Sequence, residues 1–490
     1  MFRNLMKYLT LLFLLFIILA SNSFAQDNLK KGIAAINKGE YVAARDLLKD
    51  AVKNNNDYEP NYYYGLALYK TGSLDDAEKY FKIALKDDDE GVGALKGLGD
   101  LYSTQKKYKD ADSYYKKALN IEQDNIPVMI ARAKNLSLSG KIDDAITVLT
   151  LAKTYTKENP EIFVGLGDAY SIRGVYETAI ANYNKALELD KNNSHAYFGL
   201  GGVYFNQAKY EEAIKAYSTS TTLDPNFAEA HLEFGKLLYY NQDFPAAASE
   251  FQKYSKLVPG SPEGDLFYGR TLYKQKKYDE AIALFEDVLK VYPNSENANR
   301  YLGLIYMDNK DYDKALSYYA KIDEKSLEAD DYTKIGILYS KKKSFPDAYK
   351  NFNKAISMDS VNTGNIYFEL GSAQFDNNEY ENCIVTFDKA LDKGLKQFPV
   401  YLYQGISYFY LKKYDDAIAK LQESIKLNDQ FAFTYLWVGK SYVGLLKKDE
   451  AIKAYNKCLE LDPTNEEALK DLKSVQTMNF EAPPPNPNNK

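Results

Sequence analysis

The sequence predicts an all-α protein: a solenoid of about thirteen stacked helix-turn-helix units closed by a C-terminal capping helix. Two observations carry this expectation. A small residue returns at a nearly fixed interval, as alanine at positions 44, 77, 111, 145, 179, 213, 247, 281, 315, 348, 417 and 451, with Cys383 in the remaining place. The steps are 34 residues, apart from 33, 33 and 35 at three junctions. Twelve residues before each of these positions stands glycine, with Ala133 the one exception. Small residues at both sites predict helix backbones in close approach.

The elements follow in chain order. Arg3 and Lys7, an apolar run from Tyr8 to Ala20 and the ending SNSFA have the pattern of a secretory signal peptide over residues 1–25, cleaved before Gln26. The apolar run would make a helix of roughly 20 Å, short of the ~30 Å hydrocarbon layer, which favours a signal over a permanent anchor. The residue directly after the junction is Gln26 and not cysteine, so the expected product is exported and not lipidated, periplasmic or secreted in a Gram-negative bacterium. The repeat array occupies 26–464. In 465–478, Thr464 or Asn465 can cap a last helix with Leu469, Leu472 and Val475 on one stripe. Residues 479–490, a Pro/Asn-rich segment, are expected to be disordered.

Within the frame, ten repeats carry an aromatic residue three positions before the alanine and ten carry one four positions after it, for example Tyr278 and Phe285 around Ala281. Offsets of four and seven place side chains on one face of the second helix. The stretch KYDEAIALFEDVLKVYPNS sets Asp279 and Glu280 just ahead of that alanine. A catalytic pair is needed once, in one cleft. Acid pairs recur in the same place as Asp75-Asp76, Asp143-Asp144, Glu211-Glu212 and Asp415-Asp416, so they are expected to complement the positive ends of second helices.

This pattern resembles the tetratricopeptide repeat, a 34-residue helix-turn-helix. The resemblance covers about Asp27 to Asn465, with the family's closing proline kept at 225, 259, 293 and 463. It implies a right-handed superhelix whose concave groove is lined mainly by each first helix, at offsets −15, −11, −8 and −7 from the framework alanine. In the sixth to eighth repeats these positions include Phe198, Phe205, Asn206, Lys236, Tyr239, Tyr240, Arg270, Tyr273 and Lys274, with Leu232 and Leu266 beside them. Aromatic faces interleaved with cations suit an extended peptide carrying apolar and acidic side chains. A second groove patch comprises Phe368, Phe375, Phe409 and Tyr410, with Leu402, in the eleventh and twelfth repeats. No pair of adjacent repeats reproduces the family's Lys/Asn carboxylate clamp.

Composition and motifs narrow the function. Removing Arg3 and Lys7 leaves 60 basic against 68 acidic residues, net −8, with no concentrated basic face of the kind nucleic-acid binding requires. His195 and His231 lie in neighbouring repeats, while Cys383 and Cys458 lie two repeats apart, roughly 20 Å at ordinary helix spacing, too far for a shared metal or a disulfide. Both cysteines occupy packing positions and are expected to be buried free thiols. GLGDAY at Gly165 and GLGGVY at Gly199 fall inside predicted first helices and not in a phosphate-binding loop. The expected function is therefore a non-enzymatic envelope scaffold, without cofactor, small-molecule substrate or nucleic acid, binding peptide segments of other proteins. The alternatives are a structural subunit that assembles through its convex face or ends, and a membrane-anchored regulator should the signal be retained.

Overall fold

Thirteen times the chain folds a first helix, typically of 13 residues, and a second, typically of 14, antiparallel across a tight turn. These are features of a computed structural model that describes residues 25–53, 55–359 and 363–477. The proposed tail, and all but the last residue of the proposed signal peptide, fall outside the described residues. Among the described residues all regular structure is helical, as the sequence predicts. The chain forms two compact units. The first holds repeats one to seven and ends at Leu257; the second, from Val258, holds repeats eight to thirteen and the closing helix.

The hairpin contact differs from the expected meeting of two backbones. The framework alanines are fully buried, but what occupies the space over each framework glycine is a side chain four residues beyond the alanine. A Cβ on Gly269 would lie 2.8 Å from the ring of Phe285, and one on Gly99 would lie 2.5 Å from Tyr115. In ten repeats glycine and aromatic thus form one ring-in-notch joint, while Gly32 and Gly405 face Leu48 and Leu421. Repeat four, the exception with Ala133, carries the narrower Leu149 at the ring position, and both are buried.

The acid pairs lie in the first turns of second helices, exposed, as for Asp279 and Glu280 at the start of Tyr278–Val291. The turn between first and second helix places one residue in the left-handed region. Glycine takes that place at 39, 72, 140 and 174; elsewhere it is Lys106, Ala208, Gln242, Lys276, Lys310, Lys343, Asn378, Lys412 or Leu446.

Repeat nine departs from the rule. Its second helix stops after eight residues, Tyr312–Tyr319, and a 3-10 turn, Glu324–Ser326, follows. Ile322 and Leu327 are buried where the missing helical turns would have packed. Arg300 secures the join, its Nε donating to both carboxylate oxygens of Asp331 at 3.0 and 2.9 Å while its guanidinium also reaches the Ser326 carbonyl. One of the 33-residue steps, from Ala315 to Ala348, falls at this junction.

The closing helix is Glu466–Thr477, and Asn465 caps it by accepting from the Ala468 N–H at 2.9 Å. Ala468 and Val475 are buried and Leu472 packs beside them; Leu469, expected on the same stripe, is instead exposed.

Candidate functional site

Within each unit, first helices of successive repeats touch one another, as Tyr58–Lys70 touches Val92–Thr104 in the first and Phe398–Tyr410 touches Ala432–Gly444 in the second. Second helices do not meet to a comparable extent among the described residues. A stack whose first helices converge and second helices splay bends toward the first helices, which puts their free face on the inside.

The first predicted patch is divided between the units. In the first unit, Phe205, Asn206 and Tyr240 are exposed, and Phe198 is half-buried between Tyr217 and Phe227, at 5.6 and 4.9 Å between ring centroids. Tyr239 does not project freely. It is 8% exposed and packs edge-on against Phe244 and Tyr240, so it belongs to the core of repeat seven. Lys236 pairs with Glu233 at 2.8 Å. Deep in this unit His231 lies between the Glu250 carboxylate, 2.6 Å from Nδ1, and the Pro225 carbonyl, 3.1 Å from Nε2.

In the second unit, Arg270 donates to the Tyr301 hydroxyl at 3.0 Å and stacks over the rings of Phe267 and Tyr301. Tyr273 and Tyr278 both donate to one carboxylate oxygen of Asp308, at 3.2 and 3.0 Å. Burial and that carboxylate push the Tyr273 phenol up. Lys274 is exposed. Arg270 and Tyr273 are thus committed to contacts between neighbouring repeats.

The second patch lies wholly in one unit and is larger than predicted. Phe368 faces Tyr403 at 6.3 Å, Tyr403 faces Phe375 at 5.1 Å, and Phe375 faces Tyr410 at 6.5 Å. From Tyr410, 47% exposed and stacked on Tyr380 at 4.7 Å, the rings continue through Trp437 at 5.5 Å and Phe433 at 6.0 Å to Phe431 at 6.3 Å. Phe409 closes on Trp437 at 5.1 Å. Charge borders this surface. Lys440 sits over the Trp437 ring and pairs with Glu467 and Asp471. Burial pushes the Glu369 carboxyl up, opposed by Lys334 and Lys341. The indole N–H of Trp437 is shielded from solvent and meets no acceptor among the described residues.

Family comparison agrees with this architecture. Tetratricopeptide-repeat models match residues 29–88, 65–125, 232–296, 268–329, 364–392, 400–429 and 434–465, and a TPR-repeat model matches 167–208 and 203–242. The chain belongs to the tetratricopeptide-repeat family. Proteins of this family generally bind other proteins. No curated protein sequence matches the chain significantly. Among solved structures, the chain is similar to the APC/C hetero-tetramer Cut9-Hcn1 (14% identity over 93% of this chain and 96% of that one, TM-score 0.40). It is also similar to yeast Tom70 (16%, 85% and 94%, TM-score 0.33). A third similar structure is YrrB, described as a TPR protein with an unusual peptide-binding site (21%, 37% and 95%, TM-score 0.28).

Among the described residues no three His, Cys, Asp or Glu side chains gather as a metal site. Cys383 and Cys458 are buried and free, and burial pushes their thiols up to about 12 and about 11. No helix among the described residues is long and apolar enough to cross a membrane. The offsets chosen from the sequence omitted two that the structure adds to the aromatic face. Tyr403 and Trp437 stand fourteen residues before their framework positions, and Phe433 eighteen before its own. The chain's single tryptophan was the available signal, since its large ring is costly to leave without a packing or binding role.

Proposed function

We propose that this tetratricopeptide-repeat protein is a non-catalytic scaffold that binds segments of other proteins along the inner face of its first helices, chiefly on the aromatic surface of repeats eleven to thirteen. The carrying observation is the unbroken run of rings from Phe368 to Phe431, with Tyr410, Phe433 and Phe431 open to solvent. Rigid aromatic surface offers large contact area at low entropic cost, which is why tyrosine and tryptophan dominate binding hot spots. Phe205, Asn206 and Tyr240 provide a smaller exposed surface of the same kind in the first unit. The pattern of residues 1–25 supports export and a role in the cell envelope.

An assembly subunit working through its outer face is the weaker reading. Exposed apolar residues recur ten positions after the framework residue of second helices, at Ile121, Tyr155, Leu223, Val291, Met358 and Leu427, one to a repeat, whereas the aromatic surface joins ring to ring across three successive repeats.

The test is crosslinking capture of partners from the envelope fraction, read by mass spectrometry, with Tyr410→Ala and Phe433→Ala compared against the unaltered chain. Loss of one hot-spot aromatic costs about 2 kcal/mol or more, roughly thirtyfold in affinity. Capture should fall accordingly while circular dichroism stays unchanged. Capture that survives both changes but is lost on altering second-helix residues would transfer the function to the outer face. An intact mass beginning at Met1 in a membrane pellet would favour the anchored regulator.

A further inference from the structure

The first helix of repeat five, Pro160–Ile172, carries Asp168 at the −11 groove offset, exposed, with Val164 and Ile172 one turn to either side. Asp100 holds the same place in repeat three. The two carboxylates are gripped alike. A tyrosine fifteen residues further on donates its hydroxyl to one oxygen, Tyr183 to Asp168 at 2.7 Å and Tyr115 to Asp100 at 2.8 Å. Each ring lies over its framework glycine, Gly167 or Gly99, and Gly199 in the following first helix leaves the space that the Tyr183 ring fills.

The repeats differ in what meets the other oxygen. In repeat three Lys96, one turn earlier, sets its ammonium 2.6 Å from the second oxygen of Asp100. In repeat five that place belongs to Val164, which is buried, and Asp168 makes no ion pair among the described residues. Its neighbours at the same groove offset do not supply the cation. Gly202 in repeat six has no side chain, and Lys134 in repeat four is exposed and forms no ion pair with it. Burial pushes the Asp168 carboxyl up, opposed by the Tyr183 hydrogen bond and the Lys134 and His195 charges, while the Glu161 charge adds to the rise. A side chain that water reaches and that burial still perturbs stands on the floor of a concavity.

A carboxylate so placed is best matched by an ammonium or guanidinium group that can donate to its open oxygen. The groove beside it is apolar. Ile172, 61% exposed, lies one turn along the same helix face, and Leu138, 54% exposed, holds the corresponding position in repeat four. Such side chains suit the methylene stem of a long basic residue.

We propose that Asp168 and Tyr183, flanked by Leu138 and Ile172, form a subsite of the first unit that holds a lysine or arginine side chain of a bound protein segment, the incoming cation taking the place on Asp168 that Lys96 takes on Asp100. The subsite rests on reading the first-helix face as the binding face, and it gives the first unit a preference for basic segments.

The probe is a fluorescein-labelled octalysine peptide, followed by fluorescence anisotropy at low ionic strength on the full-length chain. Asp168→Asn keeps an acceptor for the Tyr183 hydroxyl and removes the charge. Val164→Lys keeps the charge and answers it from within, as Lys96 does for Asp100. Each should weaken octalysine binding about tenfold, the loss of one charge-assisted hydrogen bond, with circular dichroism unchanged. Asp279→Asn with Glu280→Gln, on an exposed second-helix turn, should leave the affinity within about twofold. Octalysine affinity that stays within about twofold in both Asp168→Asn and Val164→Lys overturns the proposal. So does an equal fall in the Asp279 and Glu280 control, because the attraction would then belong to the chain's overall negative charge. The underlying reading fails separately. Partner capture lost on Tyr410→Ala and Phe433→Ala, with octalysine indifferent to Asp168, keeps the binding face and overturns the subsite; octalysine binding that depends on Asp168 upholds the subsite even where partner capture moves to the outer face.

Discussion

Gly269→Ala tests the ring-in-notch joint directly. In an exposed helix this change stabilises by about 1 kcal/mol. Here the new Cβ would stand 2.8 Å from two ring carbons of Phe285, which is fully buried and cannot swing into solvent. Phe285 is also stacked on Tyr301 at 5.4 Å, and Tyr301 holds Arg270, so displacement is passed into the next repeat. Overpacking of this kind costs about 1–3 kcal/mol. The net expectation is a loss of about 1 kcal/mol where propensity alone gives a gain. Repeat four supplies the remedy, since its Ala133 is paired with Leu149. Phe285→Leu alone should cost about 1–2 kcal/mol, less than the 3–5 of a full truncation to alanine. The two changes together should cost less than their sum by at least about 1 kcal/mol, the signature of a directly coupled pair. Urea unfolding followed by circular dichroism, with hydrogen exchange of the hairpin as the local readout, measures all four corners of the cycle. A stabilised Gly269→Ala, or additivity to within about 0.5 kcal/mol, would refute the joint as the reason glycine stands there.

Cys383→Ala should change stability by no more than about 1 kcal/mol, because twelve sister repeats carry alanine in its place; with both thiols pushed up to about 12 and about 11, neither cysteine should react with a disulfide reagent at pH 8 until the chain is unfolded. Arg300→Ala should cost about 3–5 kcal/mol, since it leaves the Asp331 carboxylate buried without its partner; thermal unfolding checks this, and a loss below about 1 kcal/mol would deny the pair its role in holding the shortened repeat. Burial pushes the Glu250 carboxyl up, but hydrogen bonds from His231 and Lys253 outweigh it and hold it below the usual glutamate range. A lowered carboxyl stabilises above the unfolded-state value near 4.3 and loses that stabilisation as pH falls through the folded value, so acid should soften repeat seven, and His231→Leu should weaken this sensitivity in urea midpoints taken from pH 3 to 6.

The period was legible because ten of the thirteen repeats solve the same packing problem with the same residue sizes, so Gly269, Ala281 and Phe285 announce one another at fixed offsets. What the glycine faces was not legible, since spacing alone does not say whether a notch receives a backbone or a ring. Tyr239 was indistinguishable in sequence from a free groove residue; Phe244, at the start of the next helix, is what draws it into the core. The truncated helix Tyr312–Tyr319 left only a 33-residue step as its trace, because Ile322 and Leu327 preserve the apolar pattern while the backbone changes course. Of the aromatic surface, four members followed from the family offsets, and Tyr403, Phe433 and Trp437 required knowing which helix faces converge.

The left-handed turn residues divide unevenly between the two units. Four of seven such turns in the first unit use glycine, whereas all six in the second use Lys276, Lys310, Lys343, Asn378, Lys412 or Leu446. A side chain in that conformation costs about 1–2 kcal/mol, somewhat less for asparagine. In a linear array, where each repeat leans only on its neighbours, such penalties set the order in which segments yield. The half that carries the aromatic surface is thus built with the weaker hinges, and under heat, denaturant or mechanical load it should give way first. On the proposed function, a surface that admits a partner gains from sitting where the chain is easiest to pry open.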